Sequence, residues 1–179
     1  GIATRTEAGI EQRVYPCMIP VNAPLAHVEG VFNAIVAEGD IVGTGMLQGR
    51  GAGAGPTTTA VIADLADIAR SAFLPVFSVP TSHLTVAKTV SIETRVGPYY
   101  LRLMVLDQPG VIADVSAALR DEHVSVEALL QRGHSQEGSV PVVLTLHETQ
   151  EAAVQRALIR IRALDTLAEP PCMIRIEYL

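Results

Sequence analysis

The chain has 179 residues, of which 49% are hydrophobic and 18% charged, enough for one large or two small cores. Its formal net charge of −6 argues against nucleic acid or an anionic membrane surface as a partner. No apolar run reaches membrane-spanning length and nothing at the start reads as a signal peptide, which fits a cytoplasmic protein.

In chain order, residues 2–6 and 10–19 alternate loosely around Glu7-Ala8-Gly9 and are expected to form a hairpin. Asn22-Ala23-Pro24 opens a short helical turn through Val28. Residues 31–37 and 41–47 are two further strands, separated by the turn residues Glu38-Gly39-Asp40. Gly49, Gly51, Gly53 and Gly55 then fall at every second position, a spacing that no ordinary strand tolerates, because glycine packs nothing and loses the most entropy on ordering. Pro56 presets a first helical turn, and Thr57, Thr58 and Thr59 offer hydroxyls to its free amides. Val61, Ile62, Leu65, Ile68, Ala69 and Ala72 follow at helical spacing. A glycine-rich turn therefore runs into a helix N-terminus, a place that can take an anion or let a ligand lie against bare backbone, or serve only as a tight turn. Neither G-x-G-x-x-G nor Walker A is present, and no βαβ dinucleotide unit can be drawn. Asp64 and Asp67, one to two turns further on, are expected to be solvated or structural.

Residues 74–97 change in texture: Pro75, Ser78, Pro80 and Ser82 interrupt the helix, and a linker over 77–97 is expected, with one extended segment at 89–94. After it the pattern is regular. Residues 99–107 form a strand, Gln108-Pro109-Gly110 a turn, and Val111, Ile112, Val115, Ala118 and Leu119 one face of a helix ending near His123. Residues 124–131 and 140–147 are strands joined by a polar loop at 132–139. Val154, Ala157, Leu158, Ile161 and Leu164 line a second helix, and Ile174, Ile176 and Tyr178 alternate along a last strand. The order is βαββαβ, a ferredoxin-like sandwich of two helices on one antiparallel sheet.

Two resemblances bear on function. The stretch from Gly49 to Asp64 resembles the late glycine motif of homoserine dehydrogenases, Gly-x-Gly-Ala-Gly-x-x-Pro-Thr-x-x-Ala-Val-x-x-Asp. The run from Val31 to Gly43, the segment Arg13-Val14-Tyr15-Pro16, and Ile19-Pro20 with Pro24-Leu25-Ala26 resemble the same family, in the same order. Leu106-Asp107-Gln108-Pro109-Gly110-Val111 resembles the ligand turn of ACT domains, the amino-acid-sensing modules of biosynthetic enzymes, and residues 126–131 resemble their second strand. The resulting fold is α+β/α/β: a partial homoserine dehydrogenase substrate and dimerisation sheet with a long helix over residues 1–76, then an ACT regulatory domain over 98–179. That order matches monofunctional bacterial homoserine dehydrogenases better than fused aspartokinase enzymes.

The resemblance implies hydride transfer between NAD(P)H and aspartate semialdehyde, giving homoserine. In the family the proton-donating lysine and the carboxylates for the substrate ammonium lie upstream of these motifs, so no catalytic residue is expected here. Lys88, the only lysine against twelve arginines, stands in no matching context. By the family pattern Gly53 lies against the bound cofactor, with Gly51, Ala52 and the Thr57 amide as further wall. Asp107, Gly110, Val111 and Ile112 would offer backbone amides to an effector's α-carboxylate. Gln131 would bond its ammonium or hydroxyl. The implied effector is threonine, and the implied assembly a homodimer or homotetramer. The alternative is a non-catalytic amino-acid-binding module with an oligomerisation sheet. Cys17 and Cys172 have no metal spacing and are expected as reduced, buried thiols. His27, His83, His123, His134 and His147 form no metal pattern, and the neighbours His134 and Ser135 no triad. With Gly1-Ile2-Ala3 opening as if inside a strand, the chain is expected to be a piece of a larger protein.

Overall fold

Tyr99, Leu101, Leu103 and Val105 alternate with Tyr100, Arg102 and Met104, which puts the first four on one side of a strand. All four are at most 2% exposed in the computed structural model, which describes residues 1–72, 78–133 and 138–178. The elements are β1 (Ile2–Thr6), β2 (Gly9–Arg13), β3 (Cys17–Met18), β4 (Phe32–Gly39), β5 (Gly43–Arg50) and α1 (Ala54–Ala69). They continue as β6 (Val96–Leu106), α2 (Val111–Asp121), β7 (Val126–Gln131), β8 (Ser139–Gln150), α3 (Glu151–Arg162) and β9 (Cys172–Ile176). They fall into two compact units, Gly1–Ile19 with Ala87–Tyr178, and Pro20–Val86.

The first unit contains the expected βαββαβ order. Its sheet runs β3-β9-β6-β8-β7, with β6 antiparallel to both β8 and β9, and β8 antiparallel to β7. Val111, Val115, Ala118 and Leu119 of α2, with Val154, Ala157, Leu158 and Ile161 of α3, close over Val140, Val142, Leu144 and Leu146 of β8 in one apolar cluster. The fifth strand is a departure from the sequence reading. Residues 10–19 are not one strand: β2 stops at Arg13, and Cys17–Met18 pairs in parallel with Arg175 and Ile176 at the edge of β9. Pro16 has no N–H to continue a ladder, so the break falls where the backbone chemistry requires it.

The expected linker also ends earlier than residue 97. The Ile10 amide donates to the Lys88 carbonyl at 2.8 Å and the Val90 amide to the Ile10 carbonyl at 3.2 Å, so this stretch packs within the first unit. Instead of an extended run at 89–94 there is a bridge at Thr89 and a 3₁₀ turn at Ile92–Thr94, capped by the Ser91 hydroxyl. Gly9 is required here: its φ is +144°, and a Cβ would lie 2.3 Å from the Lys88 carbonyl oxygen. β6 starts at Val96, ahead of Pro98, because a shift of register between Gly97 and Tyr99 absorbs the proline. The polar loop expected at 132–139 has residues 134–137, including His134 and Ser135, outside the described residues.

In the second unit, Pro24–His27 forms the expected short helical turn. β4 and β5 make an antiparallel hairpin in which Ile35 faces Leu47 and Gly39 faces Gly43. The turn therefore lies at residues 40–42, later than Glu38-Gly39-Asp40, and Gly43 takes the positive φ of +73°. α1 begins at Ala54 rather than Pro56 and ends at Ala69, short of Ala72. Residues 73–77, where the linker was expected to begin, lie outside the described residues. Ala23 is the one buried hydrophobic residue described in this unit. The stripe Val61, Ile62, Leu65 and Ile68 exists as a helix face, but each residue is 52–59% exposed. Among the described residues no helix is long and apolar enough to cross a membrane.

Candidate functional site

The glycine turn sits between β5 and α1. Gly53 is the N-cap of α1, with φ +114° and ψ 155°, a backbone conformation that L side chains rarely adopt. A Cβ there would meet only Pro56 Cδ, at 3.6 Å, and would project into open space. Bare backbone is thus presented at a helix N-terminus, the kind of wall against which a nucleotide can lie. The neighbours differ. At Gly51 a Cβ would fall 1.6 Å from Asn33 Nδ2, so the missing side chain there makes room for Asn33. Ala52 is exposed in a bend. The Thr57 amide donates to the Gly53 carbonyl at 3.1 Å as the first bond of the helix, and is taken. Because α1 starts two residues early, the positions ahead of the helical ladder are Ala54 and Gly55. The threonine hydroxyls do not cap the helix: α1 has no side-chain cap, and Thr59 Oγ1 donates back to the Gly55 carbonyl at 3.0 Å. Asp64 and Asp67 are exposed, as expected. Beside the turn, Asn33, Ala34, Ile35, Leu47, Gln48, Gly49 and Arg50 line a shallow depression of about 360 Å³.

The second candidate is the turn from β6 into α2. The Gln108 amide donates to the Leu106 carbonyl at 2.9 Å, Gly110 caps α2 with φ +96°, and Asp114 N–H bonds the Gly110 carbonyl. Val111 is 3% exposed and Ile112 packs on the core, so these two can offer only backbone to a ligand. Gly110 is exposed with nothing within 4 Å of a Cβ position, and Asp107 is half-buried. Gln131 is exposed at the end of β7. Its strand is not next to β6: β8 lies between, and Gln131 faces Val142 while the turn follows Leu106, which faces Ser139. Two strand spacings of about 4.8 Å separate the lines of β6 and β7.

A third group of residues has no counterpart in the sequence reading as a site. Glu177 is 7% exposed and accepts from Tyr15 Oη at 2.5 Å, Arg95 Nε at 3.0 Å and Arg13 Nη2 at 3.3 Å. Arg95 also donates to the Ile176 carbonyl at 2.9 Å. Glu151, 1% exposed at the first turn of α3, accepts from Tyr99 Oη at 3.1 Å, Gln155 Nε2 at 2.8 Å and both Nε and Nη2 of Arg175. The Arg175 guanidinium stacks on the Tyr15 ring at 4.4 Å and Arg95 on the Tyr99 ring at 5.0 Å. Arg13 also pairs with Glu11, so three carboxylates meet three guanidiniums. Burial, reinforced by the Glu177 hydrogen bond, pushes the Tyr15 hydroxyl up to about 12. Burial and the Glu151 charge do the same to Tyr99. Burial opposes ionisation of Glu151, but the bonds from Arg175 and Gln155 outweigh it and hold its carboxyl below the usual range. In the sequence, only Arg13-Val14-Tyr15-Pro16 hinted at this cluster.

Cys17 and Cys172 are free and half-buried rather than buried. Among the described residues no group of three or more His, Cys, Asp or Glu is placed to hold a metal ion.

Residues 1–66 match the family model for homoserine dehydrogenase and residues 99–163 that for the ACT domain. A homoserine dehydrogenase of Neisseria gonorrhoeae is 37% identical over 185 residues, covering all of this chain and 42% of that protein. One from Pseudomonas aeruginosa is 36% identical, covering all of this chain and 43% of its own length. The crystal structure of a homoserine dehydrogenase from Thiobacillus denitrificans superimposes with a TM-score of 0.82 at 38% identity, over 98% of this chain and 41% of that one. The chain thus spans about two fifths of the length of the relatives it matches.

Proposed function

We propose, for a chain that belongs to the homoserine dehydrogenase family and carries an ACT domain, that it is the C-terminal portion of an enzyme of that name: part of the substrate and dimerisation domain over 1–76 and an effector-sensing domain over 98–179, joined through residues 77–97. The parent interconverts aspartate semialdehyde and homoserine in the cytoplasm, on the route to threonine and methionine, using NAD(P)H. The observation that carries this reading is continuity: both halves match, in order, at 38% identity and a TM-score of 0.82 to one homoserine dehydrogenase.

The cofactor, when bound, supplies or accepts the hydride. Gly53 fits a role against it, because its exposed backbone has space where a side chain would stand. Ala52 and Gly51 extend that wall, while Gly51 also seats Asn33, and the amides of Ala54 and Gly55 replace that of Thr57. The proton donor and the carboxylates that hold the substrate ammonium belong to residues ahead of this chain. In the ACT domain, the amides of the turn from Asp107 through Gly110, Val111 and Ile112 hold the α-carboxylate of threonine, with Gln131 bonding its ammonium or hydroxyl. Because Gln131 lies two strands from the turn, a complete site draws the turn from one copy and Gln131 from another, which fits a homodimer or homotetramer.

The test has two arms. The 179-residue chain alone shows no NAD(P)H oxidation with aspartate semialdehyde, since positioning and acid catalysis supply most of such a reaction's acceleration. The full-length enzyme shows that activity, and threonine inhibits it. Turnover by the isolated chain would refute the assignment of chemistry upstream. Threonine binding by a full-length protein without dehydrogenase activity would favour a non-catalytic amino-acid-binding module with an oligomerisation sheet.

A further inference from the structure

Gly49 and Gly51 are two residues apart in extended backbone, so they share one face of the strand that leads into the glycine turn. That face is not uniformly bare. Asn33 stands opposite Gly49 across the β4–β5 ladder, and its side chain leans along the strand to Gly51. A Cβ added at Gly51 would overlap Asn33 Nδ2 and lie 2.8 Å from its Cγ, so the amide nitrogen stands where a side chain at 51 would begin. Gly49 and Gly55 are open, with nothing within 4 Å of a Cβ at either. On the other face of the ladder Arg50 stacks on the ring of its cross-strand partner Phe32 at 5.6 Å. The Gly51 amide then donates to the Val31 carbonyl at 3.4 Å. The start of β4 thus holds the approach to the turn from both faces and through the backbone. Among the described residues the exposed Asn33 carboxamide has no hydrogen-bond partner, so its place is set by packing on bare backbone.

We propose that Asn33 is a positioning residue for the glycine turn: Gly51 lacks a side chain in order to seat its carboxamide, and the seated group fixes the path of residues 51–53 and so the pose in which Gly53 meets the cofactor. This rests on the cofactor reading above for its ligand, but not for the seat itself. What Gly51 adds to the wall is then the side chain of Asn33. Two glycines that look alike in the sequence are separated by what occupies the space of their missing side chains. At Gly53 it is open space past Pro56, with a φ of +114°; at Gly51 it is another residue's amide. Gly51 has no positive φ, so its backbone accepts alanine. The obstructing atoms are the end of an exposed side chain, which can rotate about χ1 into solvent. Alanine at 51 therefore keeps the fold and evicts Asn33, which makes it a second way to remove the same contact. Gly53 lies two residues on, at most about 7 Å away between Cα atoms, near enough to feel a displaced turn.

Fluorescence titration of the full-length protein with NADH and NADPH tests the pairing. Asn33→Ala and Gly51→Ala each weaken cofactor binding about fivefold, and the double variant is also about fivefold weaker, with kcat at saturating cofactor within about twofold. Asn33→Leu, which keeps the branching and bulk of the side chain without its polar atoms, stays within about twofold of the unsubstituted protein. Losses that multiply to about 25-fold in the double variant would overturn the proposal, because Gly51 would then face the cofactor itself. Unchanged binding in Asn33→Ala would overturn it as well. Hydrogen exchange on the 179-residue chain reads the seat with no cofactor present. The Thr57 amide, bonded to the Gly53 carbonyl, exchanges about threefold faster in Asn33→Ala and in Gly51→Ala, and no faster still in the two combined. Accelerations that multiply, or none, would also overturn the proposal. If the unsubstituted full-length protein binds neither nucleotide, the cofactor reading falls, and the exchange result still decides whether Asn33 sets the turn.

Discussion

Leu103 and Leu47 both stand on antiparallel strands, and both face an apolar residue across the ladder, Val142 and Ile35. Leu103 is fully buried; Leu47 is 78% exposed and Ile35 70%. In the first unit the strand pattern meets two helices whose apolar faces match it, and the result is a single closed cluster. In the second, hairpin and helix each have an apolar side, and almost nothing in the unit covers either. Amphipathic pattern specifies which residues seek burial, while the partner surface decides whether they obtain it. The first unit supplies its own partner surfaces, and the second presents apolar faces suited to packing against further protein.

Leu103→Ala puts that contrast to its hardest test. It should lower the unfolding free energy by about 2–5 kcal/mol, against roughly 0.5 kcal/mol or less for Leu47→Ala, as read from urea midpoints of the 179-residue chain. Equal effects would mean that the second unit has a core of its own. If the proposed dehydrogenase reading holds, the order reverses for catalysis in the full-length protein: Gly53→Val should reduce kcat/KM for the nicotinamide cofactor by about a hundredfold while leaving the melting of the first unit in place, because the side chain enters the space beside the turn and the φ of +114° disfavours a β-branched residue.

A third comparison uses pH. The folded state holds Glu151 below its ordinary pKa, so its contribution is complete above the unfolded value near ~4.3 and is lost as pH falls through the lowered folded value. Glu151→Gln should cost about 3 kcal/mol near neutral pH, and the gap to the parent should narrow in denaturant titrations taken down into the acid range. A gap independent of pH would assign the loss to packing. The smallest effect is expected at Thr59→Val. It removes one exposed hydroxyl bond to the Gly55 carbonyl and should change stability by about 0.5 kcal/mol or less, with circular dichroism showing α1 unchanged.

The βαββαβ order was legible because strand and helix periods were clean: Tyr99 to Val105 alternates, and Val111, Val115 and Leu119 recur at helical spacing. The glycine turn was legible as a turn, and the structure gives Gly53 in it a φ of +114°. What could not be read was anything set by distant pairing. Nothing near Cys17 says that it will lie beside Arg175, and nothing near Arg95 says that Glu177 will receive it. The separation of Gln131 from the turn by β8 depends on strand order, which local periodicity does not encode. The early start of α1 was missed because Pro56 read as the first helical residue, whereas the bond from the Thr57 amide to the Gly53 carbonyl closes a turn that already includes Ala54 and Gly55.

The parallel strand β3 carries a consequence for how the polypeptide is made. Its hydrogen-bonding edge on β9 is supplied by residues almost a whole chain length away. Loop-closure entropy grows with separation, and contacts of high sequence distance form late. During synthesis β3 emerges before β9 and waits, without that partner, until β9 has left the ribosome. The other four strands, whose partners all lie between Val96 and Ile176, can assemble first, and the edge strand then docks as the closing step of folding. Pulse-labelling during refolding should therefore find β6 and β8 protected before the Glu177 amide, whose acceptor is the carbonyl of Met18.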